Sequence, residues 1–218
     1  MLLAIDTSTR IAGIALYDET GLHAEQMWRT IDNHTVELLP YVVRACQQQG
    51  LQPSALQAVA VATGPGSFTG LRVGLSIAKG LALSLDLPIL GVPTLDASAY
   101  AHSNQALPVR AVLPAGRGRW CSALYACIEG DWQRCSDYAL LDTKALTASL
   151  TEPTLICGEI SAALRQALIK NAAGLAVVPP PALAQRRTGC LAELAWQRLA
   201  KGEHDDLPSL NPIYLQRT

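Results

Sequence analysis

Residues 57–85 constrain the fold most, because an apolar strand-like run leads through a glycine loop straight into a long helical repeat. The run covers residues 58–62, and the loop is Gly64-Pro65-Gly66-Ser67-Phe68-Thr69-Gly70. Leu71, Leu75, Ala78, Ala82 and Leu85 then recur at helical spacing. Strand, turn and helix in this order place the chain in the α/β class, where such junctions often carry the chemistry. Two phosphate loops fail on spacing. A Walker loop needs a Gly-Lys pair, but Leu71 follows Gly70 and the next lysine is Lys79. The dinucleotide fingerprint needs a glycine where Thr69 stands. Two readings stay open: a turn whose Ser67 or Thr69 caps bare helix amides, or an anion site at the helix start.

Around this junction the apolar pattern predicts strands at 2–6, 11–17, 23–29 and 57–62, helices at 35–49 and 71–85, and a strand at 89–91. On the first helix, Val36, Leu39, Val43 and Cys46 share a face, and Gly50 stops the helix. Pro40 withholds a hydrogen bond from Val36, so that helix should kink there or start after His34. After a polar stretch at 102–105 the order of elements begins again. Strands are expected at 111–113, 121–128 and 133–138, a helix at 144–150, a strand at 154–157, a helix at 161–172 and a strand at 175–178. The topology repeats without the sequence repeating, which suggests two related lobes. A last helix at 182–200 is expected to return to the first lobe.

The 218 residues are 50% hydrophobic and 16% charged, enough for one large core or two modest ones. The net charge is −1; residues 1–107 carry 5 basic and 8 acidic side chains, and residues 108–218 carry 12 and 10. No basic field draws such a chain onto nucleic acid. Arg186-Arg187 is the only basic doublet, and a solvated helix start explains it as well as a phosphate contact. The six cysteines form no C-x-x-C pair and read as reduced thiols, several of them buried, of a cytoplasmic protein. Four scattered histidines spell out no metal site. The apolar stretch 81–92, broken by Asp86 and Pro88, is too short to span a membrane.

The nineteen residues 64–82 closely resemble the hallmark segment of the TsaB family, the bacterial partner subunits for making threonylcarbamoyladenosine in tRNA. Residues 3–8, 34–40, 91–95 and 212–215 extend the resemblance to both ends of the chain. It implies an α/β fold of two actin-like lobes of the ASKHA, RNase H-like kind, each a mixed sheet with flanking helices. The first lobe would be residues 1–107 completed by 182–218, and the second, reduced lobe 108–181.

In actin-like proteins nucleotide sits between lobes, held by one phosphate turn from each. Asp6, Thr7 and Ser8 stand where the first turn belongs, as a vestigial phosphate loop or simply as a carboxylate capping its own turn. The second turn reads Pro114-Ala115-Gly116-Arg117-Gly118, without the aspartate that would serve magnesium, and Cys157-Gly158-Glu159 offers one glycine where a pair is wanted. The catalytic relative TsaD carries two histidines four residues apart on the first helix, whereas here His34 is followed by Leu38. The TsaB pattern D-A-R-x-G-E-V-Y is degenerate in residues 114–121, which puts second-lobe contacts in doubt.

The resemblance therefore implies a noncatalytic subunit with no cofactor and no metal, though weak nucleotide binding stays open. Its partners would be TsaD, in a heterodimer, and TsaE; tRNA would be met only through the complex, and the free chain could form a homodimer. The subunit contact is expected on the first-lobe helices at His34, Leu38, Tyr41, Gly70, Val73, Gly74, Ile77 and Ala78, the small residues Gly70, Gly74 and Ala78 admitting a close neighbour. The alternative is a small actin-like ATPase or phosphotransferase working through Asp6 and the glycine loop.

Overall fold

The structure, a computed structural model, describes residues 1–30 and 34–215, with only the backbone described for His34 and Thr35. Five strands, β1 (Leu2–Asp6), β2 (Ile11–Asp18), β3 (Gly21–Arg29), β4 (Ala58–Gly64) and β5 (Ile89–Pro93), form a mixed sheet in the order β3-β2-β1-β4-β5. β1 and β2 pair antiparallel through a tight turn, whereas β1, β4 and β5 run parallel, which requires helical crossovers. Those crossovers are α1 (His34–Gln48) and α2 (Phe68–Leu85).

Both helices pack on the face bearing Leu3, Ile5, Ile14, Leu16, Val59 and Val61. The helix α7 (Thr188–Leu199) packs on the same sheet. Gly13 lets it approach, because a Cβ there would overlap the Thr188 hydroxyl. Glu25 fastens it, taking a hydrogen bond of 2.7 Å from Nε of Arg187 and one of 2.9 Å from the Gly189 amide. The second of these caps the helix N-terminus, where a carboxylate is also favoured by the helix dipole.

A second sheet repeats the plan. Its strands are β6 (Val109–Pro114), β7 (Arg119–Ile128), β8 (Asp131–Arg134), β9 (Ala139–Asp142), β10 (Thr154–Gly158) and β11 (Ala176–Val177), in the order β11-β10-β6-β7-β8, with β9 also pairing β7. Its helices are α3 (Thr94–Tyr100), α4 (Thr143–Ala148), α5 (Ala162–Asn171) and the short α6 (Pro181–Ala184). Alternate residues of β6 serve two cores: Val109, Ala111 and Leu113 pack with Leu95 and Ala99 of α3, while Val112 packs with Leu146, Leu164 and Leu168. The reduction of this lobe lies in its short helices, for its sheet has one strand more than the first.

The two compact units comprise Met1–Thr94 with Arg187–Tyr214, and Leu95–Arg186 with Leu215–Thr218. The sequence placed the breaks at 107/108 and 181/182; they fall at 94/95 and 186/187 because Leu95 and Ala99 belong to the second core. Other elements also depart from the sequence reading. Of the strand expected at 133–138 only 133–134 are extended, as the end of β8, with β9 beginning after it at Ala139, and the helix expected at 182–200 is broken between Ala184 and Thr188. Pro40 lies inside α1, which begins at His34 rather than after it. The buried face of α1 is Leu38, Val42, Ala45 and Cys46, while Val36, Leu39 and Val43 are 72%, 43% and 53% exposed, so the stripe of four splits, with Cys46 inside and the other three outside.

Candidate functional site

The first candidate region is the turn after β1, where it meets the loop between β4 and α2. Ser67 is the N-cap of α2, its hydroxyl accepting from the Gly70 amide at 3.2 Å, and the helix begins at Phe68, three residues before the expected start. The loop is closed from outside by the chain itself. The Ser67 amide donates to the Ser8 carbonyl at 2.6 Å, and the Thr7 hydroxyl donates to the Gly70 carbonyl at 2.7 Å. A Cβ on Gly66 would overlap the Ser8 carbonyl, one on Gly70 the Thr7 carbonyl, and one on Gly74 the Thr7 hydroxyl. The loop glycines thus make room for residues 7 and 8. Asp6 is 1% exposed and accepts from both the Ser8 amide (2.9 Å) and the Ser8 hydroxyl (2.6 Å), so its carboxylate caps its own turn.

The second-lobe turns contain little to grip a phosphate. Residues 115–118 form a hairpin in which the Ala115 amide donates to the Arg119 carbonyl at 2.9 Å, and the strand before it ends at Pro114. Gly158 lies against the Val112 carbonyl with φ of +100°, a conformation open to glycine. Glu159 holds the fully buried Arg186 at 2.8 Å. The doublet Arg186-Arg187 is therefore spent on two internal ion pairs, with Glu159 and Glu25. Among the described residues, no group of three or more His, Cys, Asp or Glu is placed to hold a metal ion.

The second candidate region is the outer surface of α1 and α2, which pack side by side. The structure corrects half of the expected contact set. Gly70, Gly74 and Ala78 are buried, the two glycines against Thr7 and Ala78 in the core, so their small-residue face points into this chain. Leu38 is likewise fully buried. Tyr41 is half-buried and packs against Trp28 with ring centres 4.1 Å apart and planes tilted by 35°, while Trp28 donates to Glu37 at 2.9 Å. The side chain of His34 lies outside the described residues.

Val73 and Ile77 do reach the surface. With Phe68, Thr69, Arg72 and Ser76 they line an open, mostly apolar depression along α2. On α1, Val36, Leu39 and Val43 are exposed apolar side chains as well. One end of the depression is finished by the C-terminal segment: Tyr214 packs on Phe68 with ring centres 5.2 Å apart, and the Arg72 guanidinium lies 3.8 Å over the Phe68 ring. Nε of Arg72 donates to the Tyr214 hydroxyl at 3.1 Å.

Sequence reasoning missed Phe68, Arg72, Tyr214 and the outward stripe of α1. Phe68 carried a signal, as the only phenylalanine of the chain placed in a loop beside serine and threonine. Tyr214 carried none that would join it to residue 72. α2 is also the one helix among the described residues long and apolar enough to cross a bilayer. Here Leu71, Leu75, Ala78 and Ala82 are instead buried on the sheet, and the remaining apolarity lies on the outer face.

Comparison with known proteins agrees with this architecture. The family described as TsaD, tRNA N6-adenosine threonylcarbamoyltransferase, matches residues 28–217. The TsaB protein of Bacillus subtilis (strain 168) is 38% identical over 124 residues, 57% of this chain and 54% of the relative. That of Escherichia coli (strain K12) is 39% identical over 121 residues, 54% and 51% of the two chains. Both are named tRNA threonylcarbamoyladenosine biosynthesis proteins, and the match spans about half the length of each. Among solved structures, YeaZ from Pseudomonas aeruginosa superposes with a TM-score of 0.80 at 26% identity, covering 98% of this chain and 99% of that one.

Proposed function

The chain belongs to the TsaD family, with TsaB proteins among its relatives, and on that premise we propose that it is a noncatalytic subunit of the assembly that makes N6-threonylcarbamoyladenosine in tRNA. In this reading it binds and supports a catalytic TsaD subunit, with TsaE as a further component, and needs no nucleotide of its own. The modification falls on adenosine 37 of tRNAs that read codons beginning with A, and tRNA is met through the complex.

The observation that carries the proposal is the outer face of α1 and α2. Val36, Leu39 and Val43 on α1 are exposed by 72%, 43% and 53%, α2 carries an open apolar depression at Val73 and Ile77, and exposed apolar surface of this kind marks an interaction site. Chemistry within this chain has less support. The Asp6 carboxylate serves its own turn, residues 7 and 8 fill the glycine loop, and the hairpin at 114–118 brings no carboxylate.

Co-purification with the TsaD subunit of the same cell tests the reading. Val36→Asp and Val43→Asp should abolish complex formation while leaving the melting temperature unchanged, since both side chains point to solvent. Undiminished binding by both variants rules this surface out. Nucleotide hydrolysis by the chain alone, lost in Asp6→Ala, would establish the ATPase alternative.

A further inference from the structure

We infer that the flank of α1 lying over β3 holds a binding site for a small monocarboxylic acid that has a short apolar stem and an amide or hydroxyl group. A strand sends alternate side chains to opposite faces, so Ala24, Gln26 and Trp28 of β3 share the face that packs under α1. On α1, Glu37, Tyr41, Arg44 and Gln48 recur at helical spacing along one flank, apart from the outward stripe of Val36, Leu39 and Val43. The first half of the seam between them is filled, because Trp28 packs against Tyr41 and donates to Glu37. The second half stays open. At the short side chains of Ala24 and Ala45 there is a cleft of about 280 Å³, whose apolar floor is completed by Ile14 and Leu16 and whose polar groups are Gln26, Arg44 and Gln48.

The lining selects the ligand. Among the described residues, the side chains of Gln26, Arg44 and Gln48 have no hydrogen-bond or ion-pair partner. The one acidic residue of the lining, Glu25, has its carboxylate on the other face of β3, where it accepts from Arg187 and the Gly189 amide. No acid of the lining therefore answers Arg44, and a guanidinium receives a carboxylate through paired N–H donors. The two carboxamides each offer a donor and an acceptor, which suits an amide or hydroxyl on the ligand. The floor of Ile14, Leu16, Ala24 and Ala45 takes its apolar stem. One guanidinium balances one negative charge, so a monocarboxylate fits better than a phosphate dianion. A few polar groups converging over an apolar floor are the usual make-up of small-molecule sites, and a volume near their lower limit of about 300 Å³ restricts the ligand to roughly the size of an amino acid.

Titration of the intact, isotope-labelled chain with N-acetylvalinate, followed by NMR, tests the site. Saturable shifts are expected at the amides of Ala24, Gln26, Ala45 and Gln48, and the neutral N-acetylvalinamide should bind about tenfold more weakly. Arg44→Gln, a change on the surface, should weaken binding of the acid by about the same factor, and Arg44→Lys, which keeps the charge and loses the fork, should fall between. Ala24→Leu, which fills the floor and leaves every polar group in place, should abolish binding. Absence of saturable shifts at these amides overturns the inference, as does equal affinity for the acid and its amide, or affinity within twofold of wild type in Arg44→Gln. Binding of inorganic phosphate in place of the acid, lost in Arg44→Gln, overturns the ligand class. Loss of TsaD binding in Arg44→Gln, without any binding of the free acid, overturns the small-molecule site and gives the cleft to an acidic side chain of a partner.

Discussion

At residues 66, 70 and 74 glycine is required by contact, not by backbone conformation. None of the three has a positive φ; each faces an atom of Thr7 or Ser8 that a methyl group would strike. The struck atoms differ, and so does the remedy. Gly70→Ala meets a main-chain carbonyl that cannot turn away, whereas Gly74→Ala meets the Thr7 hydroxyl. Each substitution should destabilise the protein by about 1–3 kcal/mol in urea unfolding, the usual range for overpacking. Adding Thr7→Ala should recover part of the loss in Gly74→Ala and none of it in Gly70→Ala, where only the cost of the lost hydroxyl bond, about 1 kcal/mol, is added. Equal rescue of both would contradict the geometry. The cap on this loop was legible in the sequence, since serine before a helical repeat is a local signal. Its filler was not, because Thr7 and Gly70 are brought together by the parallel pairing of β1 and β4.

Among the elements, α1 shows how a helix can be found in the sequence without its buried side being known. Its sequence has two apolar stripes at helical spacing, Leu38, Val42, Ala45 and Cys46 inside and Val36, Leu39 and Val43 outside. Periodicity finds both and cannot choose between them. The stretch from 203 to 214 is the opposite case, with almost no regular structure but many anchors. Asp205 accepts from the Gly91 amide at 2.6 Å and from Arg198 at 2.9 Å, and the Ile213 amide donates to the Thr63 carbonyl at 2.7 Å. Burial alone would raise the Asp205 carboxyl, but the Arg198 hydrogen bond, the Gly91 amide and the nearby positive charge outweigh it, and its pKa is lowered. A carboxylate with a depressed folded pKa stabilises the fold above its unfolded value, about 4, and the contribution disappears as pH falls through the folded pKa. The difference in urea midpoint between wild type and Asp205→Asn should therefore be largest near neutrality and shrink below about pH 4. A difference independent of pH would show that charge plays no part.

At the scale of the whole molecule, the duplication was visible as a repeated order of elements, and the two sheets share one strand plan. What the sequence did not show was ownership. α3 follows the first sheet in the chain yet packs in the second core, and only its buried partners reveal it. Thiol chemistry samples both units in one experiment. Cys127 and Cys135 are exposed, while Cys46, Cys121 and Cys157 are buried; burial raises the thiol pKa of all three, to about 11 for Cys121. Cys190 is also pushed up to about 11, by burial first and then by the charges of Glu25 and Glu193. Ellman's reagent at pH 8 should therefore find two fast thiols in the native protein and all six in denaturant. Rapid reaction of Cys157 would mean that the second core opens readily.

The first sheet shares its core with α7, whose residues come after those of the second sheet. On the ribosome, then, the strands made first wait with one surface bare until nearly the last helix is made, and the second unit, almost continuous in the chain, can settle before the first. Any shielding of that surface would be needed from the time those strands emerge until α7 has been made.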